Sequence, residues 1–465
     1  MKFNNLTIKT ALEGLRKKEF SSVDLVNWCF AEIDKKNKEL NAFITVDKKG
    51  ALEQAKLADQ KIKDGADLPL LGIPIALKDI FLTKGLRTTA GSKVLDNYIP
   101  QYDATVVRKL KDAGAVIVGK TNLDAWAHGS SGENSDFGPT KNPFNEKYVP
   151  GGSSSGSAVA VASNLSLAAT GTDTGGSIRL PASFCNVVGL KPTYGRVSRY
   201  GIIAMSSSMD SIGHFTKNVE DSELLLSITS GKDPMDATTI NHASSKKPDQ
   251  RLRIGILEEY RATFETDNAY IKAIDILEKN LRAEIITVTL PHQEYAIECY
   301  YVIQPSEVSS NLARYDGIRY GNDRTAFGDE AIRRIMLGTF TLSSGYYDAY
   351  YKKAMKVRTL IKKDFDDAFK KVDAIIAPVS PTPPWKFGEK INEPLKMYLS
   401  DVFTVPANLA GIPGLSIPVG FTKNTLPIGM QILGPHFAEK TLFAIGKSYE
   451  EATREEAWRK ILPKL

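Results

Sequence analysis

The chain lacks most of the signals that would assign it to a specialised class. It has only three cysteines in 465 residues. Cys29, Cys185 and Cys299 lie far apart, form no CxxC pair and have no histidine at ligand spacing, so neither a disulfide framework nor a zinc site is expected. Each reads as a reduced, buried cysteine. An excess of one charge is also missing: 60 basic against 54 acidic residues leave a net +6. That is too mild for a dedicated nucleic-acid binder, although it is compatible with an RNA held mainly by a partner protein. No apolar run reaches the roughly 18 residues that a membrane span requires. Met1 to Leu6 carry no apolar core of a secretory signal, so the cytoplasm is the default compartment. Internal repeats, low-complexity tracts and metal, nucleotide or haem motifs are absent as well. What remains is the composition of an ordinary globular enzyme, 42% hydrophobic and 25% charged.

The hydrophobic pattern alternates between two periods. Residues 7–35 read as two helices, the second starting near Ser21-Ser22 with Asp24 in its first turn. Ala51 to Lys63 and Ala104 to Ala113 are amphipathic helices. Leu70 to Ile80, Ala115 to Val118 and Leu165 to Thr170 are apolar runs of strand length. Later strands are expected at 187–190, 252–257, 284–290, 373–378, 415–418 and 429–433, with helices at 268–282, 329–336, 345–370 and 441–452. Asn122 to Lys147 is a polar, Gly/Asn-rich loop, and Ser244 to Arg251 a polar connection. No linker divides the chain. We expect one α/β domain over 1–465: a helical segment to about 65, a core over about 66–220, and a further part over about 250–465. Its sheet should be largely covered.

Two glycine loops stand out, Pro150-Gly-Gly-Ser-Ser-Ser-Gly-Ser157 and Thr172-Asp-Thr-Gly-Gly-Ser-Ile-Arg179. They bracket one small-residue helix and one strand. Glycine lets backbone N–H groups approach a ligand closely, so such loops suit a phosphate cradle or an oxyanion hole. No Gly-Lys-Ser/Thr follows them, which sets the phosphate loop aside. Gly152 to Gly156 also fits the G-x-S-x-G nucleophile elbow, but no buried strand runs into it and none of His214, His242, His292 and His436 has a distinctive context. The remaining candidate base is Lys78, at the end of an apolar strand. Desolvation there could lower its proton affinity to a useful level, while the alternative is a strand-end lysine that reaches solvent.

Gly151-Gly-Ser-Ser-Ser-Gly-Ser-Ala158 followed by Gly171-Thr-Asp-Thr-Gly-Gly-Ser-Ile-Arg-Leu-Pro-Ala182 resembles the amidase signature in full, and Lys78, Ser153 and Ser177 keep that family's spacing. The resemblance implies the amidase-signature fold, a central mixed β-sheet covered by helices on both faces. It makes Ser177 the acylated nucleophile and Ser153, at a cis peptide, the bridge to the base Lys78. It gives the oxyanion hole to the N–H groups of Thr174, Gly175, Gly176 and Ser177, and places Thr174 in the substrate pocket. Ser155, where the family more often has glycine, is a small departure.

Within the family, Tyr300-Tyr-Val-Ile, Ser309 to Gly321, Ile335 to Tyr351 and Lys356 to Ile361 are similar to the glutaminase subunits of the tRNA-dependent amidotransferases. This likeness implies L-glutamine as substrate, with Arg334 on its α-carboxylate, Asp401 on its α-ammonium and Tyr300 lining the pocket. It also implies two companion subunits: one B-type kinase/transferase and one small C-type chain. ATP and Mg²⁺ would act at the companion rather than on this chain. Ammonia would then amidate glutamate misacylated on tRNA(Gln), or aspartate on tRNA(Asn). Ala125, His128 and a short 321–328 stretch depart from that branch. Two other readings are a free-standing amidase of small carboxamides and a non-catalytic scaffold of the same fold.

Overall fold

Local rules set the first elements. Helix α2 (Ser22–Leu40) starts at a capping box, with Asp24 N–H donating to Ser21 Oγ at 3.0 Å and Ser21 N–H donating to Asp24 at 2.9 Å. It follows α1 (Ile8–Arg16) and precedes α3 (Lys48–Lys63). The computed structural model describes residue 3 and residues 6–242, 251–257 and 269–465. Residues 244–250 of the expected polar connection lie outside the described residues.

Eleven strands form one mixed sheet. In chain order they are β1 (Phe43–Val46), β2 (Pro74–Lys78), β3 (Val116–Thr121), β4 (Ala168–Asp173), β5 (Val188–Lys191), β6 (Ser211–Thr216), β7 (Arg253–Leu257), β8 (Glu284–Val288), β9 (Ala374–Pro378), β10 (Gly414–Phe421) and β11 (Pro427–Leu433). Their spatial order is β1-β3-β2-β4-β6-β5-β10-β11-β9-β7-β8.

Successive residues along a strand point to opposite faces. Here they enter different cores. Ile75, Leu77, Ile117 and Ala168 pack with Leu12, Leu15, Val107 and Leu225. Ala76, Val116, Val118 and Ala169 pack with Val26, Phe30, Ala55 and Val159. At the other end of the sheet, Ala374 and Ile376 join the first core, while Ile375 and Ala377 join a third with Ile303, Phe365 and Leu409. Both faces are therefore helix-covered, which explains why the strands read as continuous apolar runs.

The structure corrects several expectations. The strand expected at 165–170 runs instead over 168–173, through Thr170-Gly-Thr-Asp173. Strands β1 and β6 went unread, as did the helix at Arg179–Phe184, the helix at Val219–Thr229, the 17-residue helix at Ala296–Leu312 and the short helix at Val405–Ala410. The helix expected over 345–370 is α-helical from Lys353 to Ala368, after a π-helical turn at Asp348–Lys352.

β2 runs parallel to both β3 and β4, so their carboxyl ends share one edge. Lys78 ends β2, the 122–134 loop follows β3, and the second glycine loop follows β4. Loops beyond the carboxyl ends of parallel strands are where α/β sheets gather ligand-binding groups.

Candidate active site

Lys78 is fully buried, and Nζ lies 2.9 Å from each of three hydroxyls, Ser153 Oγ, Ser154 Oγ and Thr172 Oγ1. Among the described residues no carboxylate comes within ion-pair distance of it. Its neighbour Lys120 differs in having Asp79 at 3.3 Å. Burial pulls Lys78 down to about 7, against the weaker opposing pull of Asp124, Asp210 and Asp173. Of the three hydroxyl residues, Ser154 and Thr172 stand in the motifs but went unread as partners of the lysine. They flank Ser153 and Asp173, and that adjacency was the available signal.

The Gly152–Ser153 peptide is cis. Asp124 N–H donates to the Ser153 carbonyl at 3.1 Å, and Ser154 N–H donates to the Ser177 carbonyl at 3.3 Å, which joins the two loops. Lys78 and Ser153 are sealed, whereas Ser177 keeps 8% of its surface exposed.

Among the described residues, none of the N–H groups of Thr174, Gly175, Gly176 and Ser177 donates a hydrogen bond within the protein. The loop that holds them is rigidly supported. Asp173 accepts from Ile178 N–H and Arg179 N–H at 3.2 and 3.3 Å and pairs with the Arg179 guanidinium at 3.0 Å. Arg179, fully buried, also donates to Gln431 Oε1, the Thr404 carbonyl and Asn408 Oδ1. Burial pushes Asp173 up, but the charge and hydrogen bonds of Arg179 outweigh it and hold the carboxyl at about 2. Thr404 Oγ1 donates to the Gly175 carbonyl at 2.6 Å, and Thr174 Oγ1 donates to Asp210 at 2.7 Å. Gly176 has φ +143°, and a Cβ there would sit 2.4 Å from Thr404 Oγ1. A Cβ on Gly175 would sit 2.8 Å from the Tyr300 hydroxyl. Both glycines are needed for the loop to lie where it does.

Tyr300 is thus packed on the glycine loop. The ring that faces the two expected substrate-holding charges is the next one, Tyr301, which went unread. Its hydroxyl lies 3.5 Å from Asp401 Oδ2, and its ring centroid lies 5.6 Å from the Arg334 guanidinium. Asp401 is buried, accepts from Ser130 Oγ at 2.7 Å, and is raised by burial to about 7. Arg334 is also buried, with Nε on Glu330 Oε1 at 2.8 Å and Nη1 on Gln304 Oε1 at 2.9 Å. It lines a cleft of about 270 Å³ together with His128, Asn134, Glu330, Met397 and Tyr398. Thr404 stands between the two halves of the site, its hydroxyl oxygen lying 3.1 Å from the Asp401 carbonyl as well. Among the described residues no group of three or more His, Cys, Asp or Glu side chains is placed to hold a metal ion.

A buried lysine surrounded by hydroxyls, beside a glycine loop with free N–H groups, is the arrangement of a serine amide hydrolase. The chain belongs to the amidase family, whose model matches residues 24–443. Among its relatives is the A subunit of glutamyl-tRNA(Gln) amidotransferase from Geobacter metallireducens, 50% identical over 98% of this chain and 99% of the relative. The crystal structure of the protein of the same name from Thermotoga maritima is 43% identical, with a TM-score of 0.79, covering 97% of this chain and 95% of that one. The peptide amidase of Stenotrophomonas maltophilia is more distant in sequence at 31% identity, with a TM-score of 0.81, covering 97% and 98% of the two chains. The free cysteines are all buried. Among the described residues no helix is long and apolar enough to cross a membrane.

Proposed function

We propose that this chain is the glutamine-hydrolysing component of a tRNA-dependent amidotransferase, converting L-glutamine to glutamate and ammonia through an acyl-enzyme on Ser177. The observation that carries the chemistry is Lys78, buried, held near neutrality and bonded only to hydroxyls. A neutral amine can take a proton from Ser153, which takes one from Ser177. The Ser177 oxygen then attacks the side-chain carboxamide carbon, and the four free N–H groups of residues 174–177 receive the developing oxyanion. When the C–N bond breaks, the proton returns through Ser153 to the leaving nitrogen, and ammonia departs. Water, deprotonated by the same relay, then hydrolyses the ester to glutamate.

Arg334 and Asp401 bind the α-carboxylate and the α-ammonium of the substrate, with Tyr301 between them and Tyr300 behind the loop. A free amino acid needs one cation and one anion placed in this way, and guanidinium suits a planar carboxylate. The names of the full-length relatives support the assignment to the tRNA-dependent branch. In that reading, the released ammonia amidates Glu-tRNA(Gln), or Asp-tRNA(Asn), on a B-type companion that uses ATP and Mg²⁺, and a small C-type chain completes the complex.

The test is ammonia release from L-glutamine beside a panel of simple amides, for wild type and Ser177→Ala, with and without the companion subunits. Glutamine turnover that falls by more than about 10³-fold in Ser177→Ala and rises with the companions is the expected result. Turnover of simple amides without turnover of glutamine would make the protein a free-standing amidase.

A further inference from the structure

His128 lies in the Arg334 cleft and is fully buried. Among the described residues, neither of its ring nitrogens has a hydrogen-bond partner. Its backbone is fixed on both sides. Asn134 Nδ2 donates to the His128 carbonyl at 2.7 Å, and Ser130, two residues on, is tied to Asp401. A buried polar ring without partners destabilises a fold, so its retention calls for a ligand.

It is not alone. Gln304 Nε2 and the Tyr398 hydroxyl are also buried without partners. Arg334 spends Nε on Glu330 and Nη1 on Gln304, which leaves Nη2 without a partner among the described residues. Around Arg334 the unused groups of these residues are therefore mostly donors, and the unpartnered acceptor in the cleft lining is Glu133 Oε2. The cleft as a whole is mixed in sign, with Asp329, Glu330 and Glu133 against Arg333 and Arg334. Such a wall suits a zwitterion better than a plain anion. Burial first, and Arg334 second, hold His128 well below the usual histidine range. The ring is thus neutral at pH 7, with one N–H to give.

We infer that His128 is a substrate-binding residue whose ring N–H donates to the α-carboxylate of the amino-acid substrate, beside Arg334, with Gln304 and Tyr398 completing the donor set. This deepens the glutaminase reading and rests on it. A carboxylate offers about four acceptor positions, enough for these donors together.

The test is His128→Met, which keeps the bulk and removes the ring nitrogens. The expected result has three parts. The kcat/KM for L-glutamine falls about ten- to hundredfold, the range of one hydrogen bond to a charged group. The kcat/KM for 4-aminobutanamide, which lacks the carboxylate, stays within about twofold. The melting temperature of the free protein rises, because an unpaired buried group has been removed. Equal losses on both substrates with a lower melting temperature would mean a structural histidine, and an unchanged kcat/KM for glutamine would also overturn the inference. Calorimetry on Ser177→Ala, with and without His128→Met, keeps the two readings apart. Glutamine binding that weakens with His128→Met while wild type releases no ammonia would sink the glutaminase assignment and spare this one. No glutamine binding by Ser177→Ala would sink both.

Discussion

At the scale of single residues, two groups of the candidate site are held at about 7, one felt in both kinetic parameters and the other in only one. In the proposed mechanism Lys78 must be neutral to draw a proton, and Asp401 must be charged to hold the substrate ammonium. Lowering the pH below 7 protonates both. We expect kcat/KM for glutamine, which reports the free protein, to fall there as two protonations. By contrast, kcat should fall as one, since bound substrate keeps Asp401 ionised. Rate profiles against pH for wild type and Asp401→Asn check this, and the variant should lose one of the two protonations along with most of its affinity. Lys78 also leaves a stability signature. Its folded value is depressed from 10.5, so between about 7 and 10.5 the unfolded chain binds the extra proton, and wild-type stability climbs with pH. Lys78→Met should climb less steeply over that range, keeping the part owed to the other buried lysines such as Lys120 and Lys191, as urea titrations at several pH values would reveal. The glycine-loop serines and Lys78 were legible because short motifs fix their residue types. Tyr301, Thr404 and Ser130 were not, because each acts through a neighbour far away in sequence: Ser130 and Asp401 are 271 positions apart.

At the scale of elements, the 174–177 loop is the one whose shape sets the rate in the proposed mechanism. It hangs from β4 on one side and from the Arg179–Phe184 helix on the other, and Thr404 holds its middle by the Gly175 carbonyl. Removing that hydroxyl in Thr404→Val should lower kcat about tenfold, on the order of one positioning hydrogen bond, with a smaller change in KM. Steady-state kinetics with a melting curve as control would check it, and an unchanged kcat would show that the loop holds itself. The strand that carries this loop starts and ends three residues later than its sequence suggests, for a physical reason. Thr170-Gly-Thr-Asp173 has no apolar signal, and its place in the sheet comes from β6, with which all four residues pair. The helix over 296–312 was missed for a similar reason. It is buried along much of its length, contains Pro305 and shows almost no amphipathic stripe. Sequence periodicity reads half-buried elements, and this one is largely enclosed.

Across the whole molecule, the sheet order had no counterpart in the linear pattern. β5 pairs with β10, so strands more than 200 residues apart become neighbours. The buried Asp173–Arg179 pair sits at that seam, joined to Asn408 and Gln431. Arg179→Met would leave a buried carboxylate uncompensated and should destabilise the fold by about 3–5 kcal/mol. The deficit also has a pH signature. Asp173 is depressed to about 2 from 3.8, so the stability it lends is full above 3.8 and is lost as the pH falls toward 2. The gap between wild type and variant should therefore shrink below about pH 4, a trend that acid titrations of both proteins would show.

The partners of Arg179 bear on when the site can exist during synthesis. The residue that starts the helix after the 174–177 loop is held by Thr404, Asn408 and Gln431, all made more than 220 residues after it. A ribosome that has already released Lys78, Ser153 and Ser177 has released every group that the proposed mechanism makes react, yet the loop that aims them still lacks its far wall. On the proposed function, a half-made chain would therefore leave glutamine untouched, and hydrolysis is expected to begin only once the last strands have left the exit tunnel.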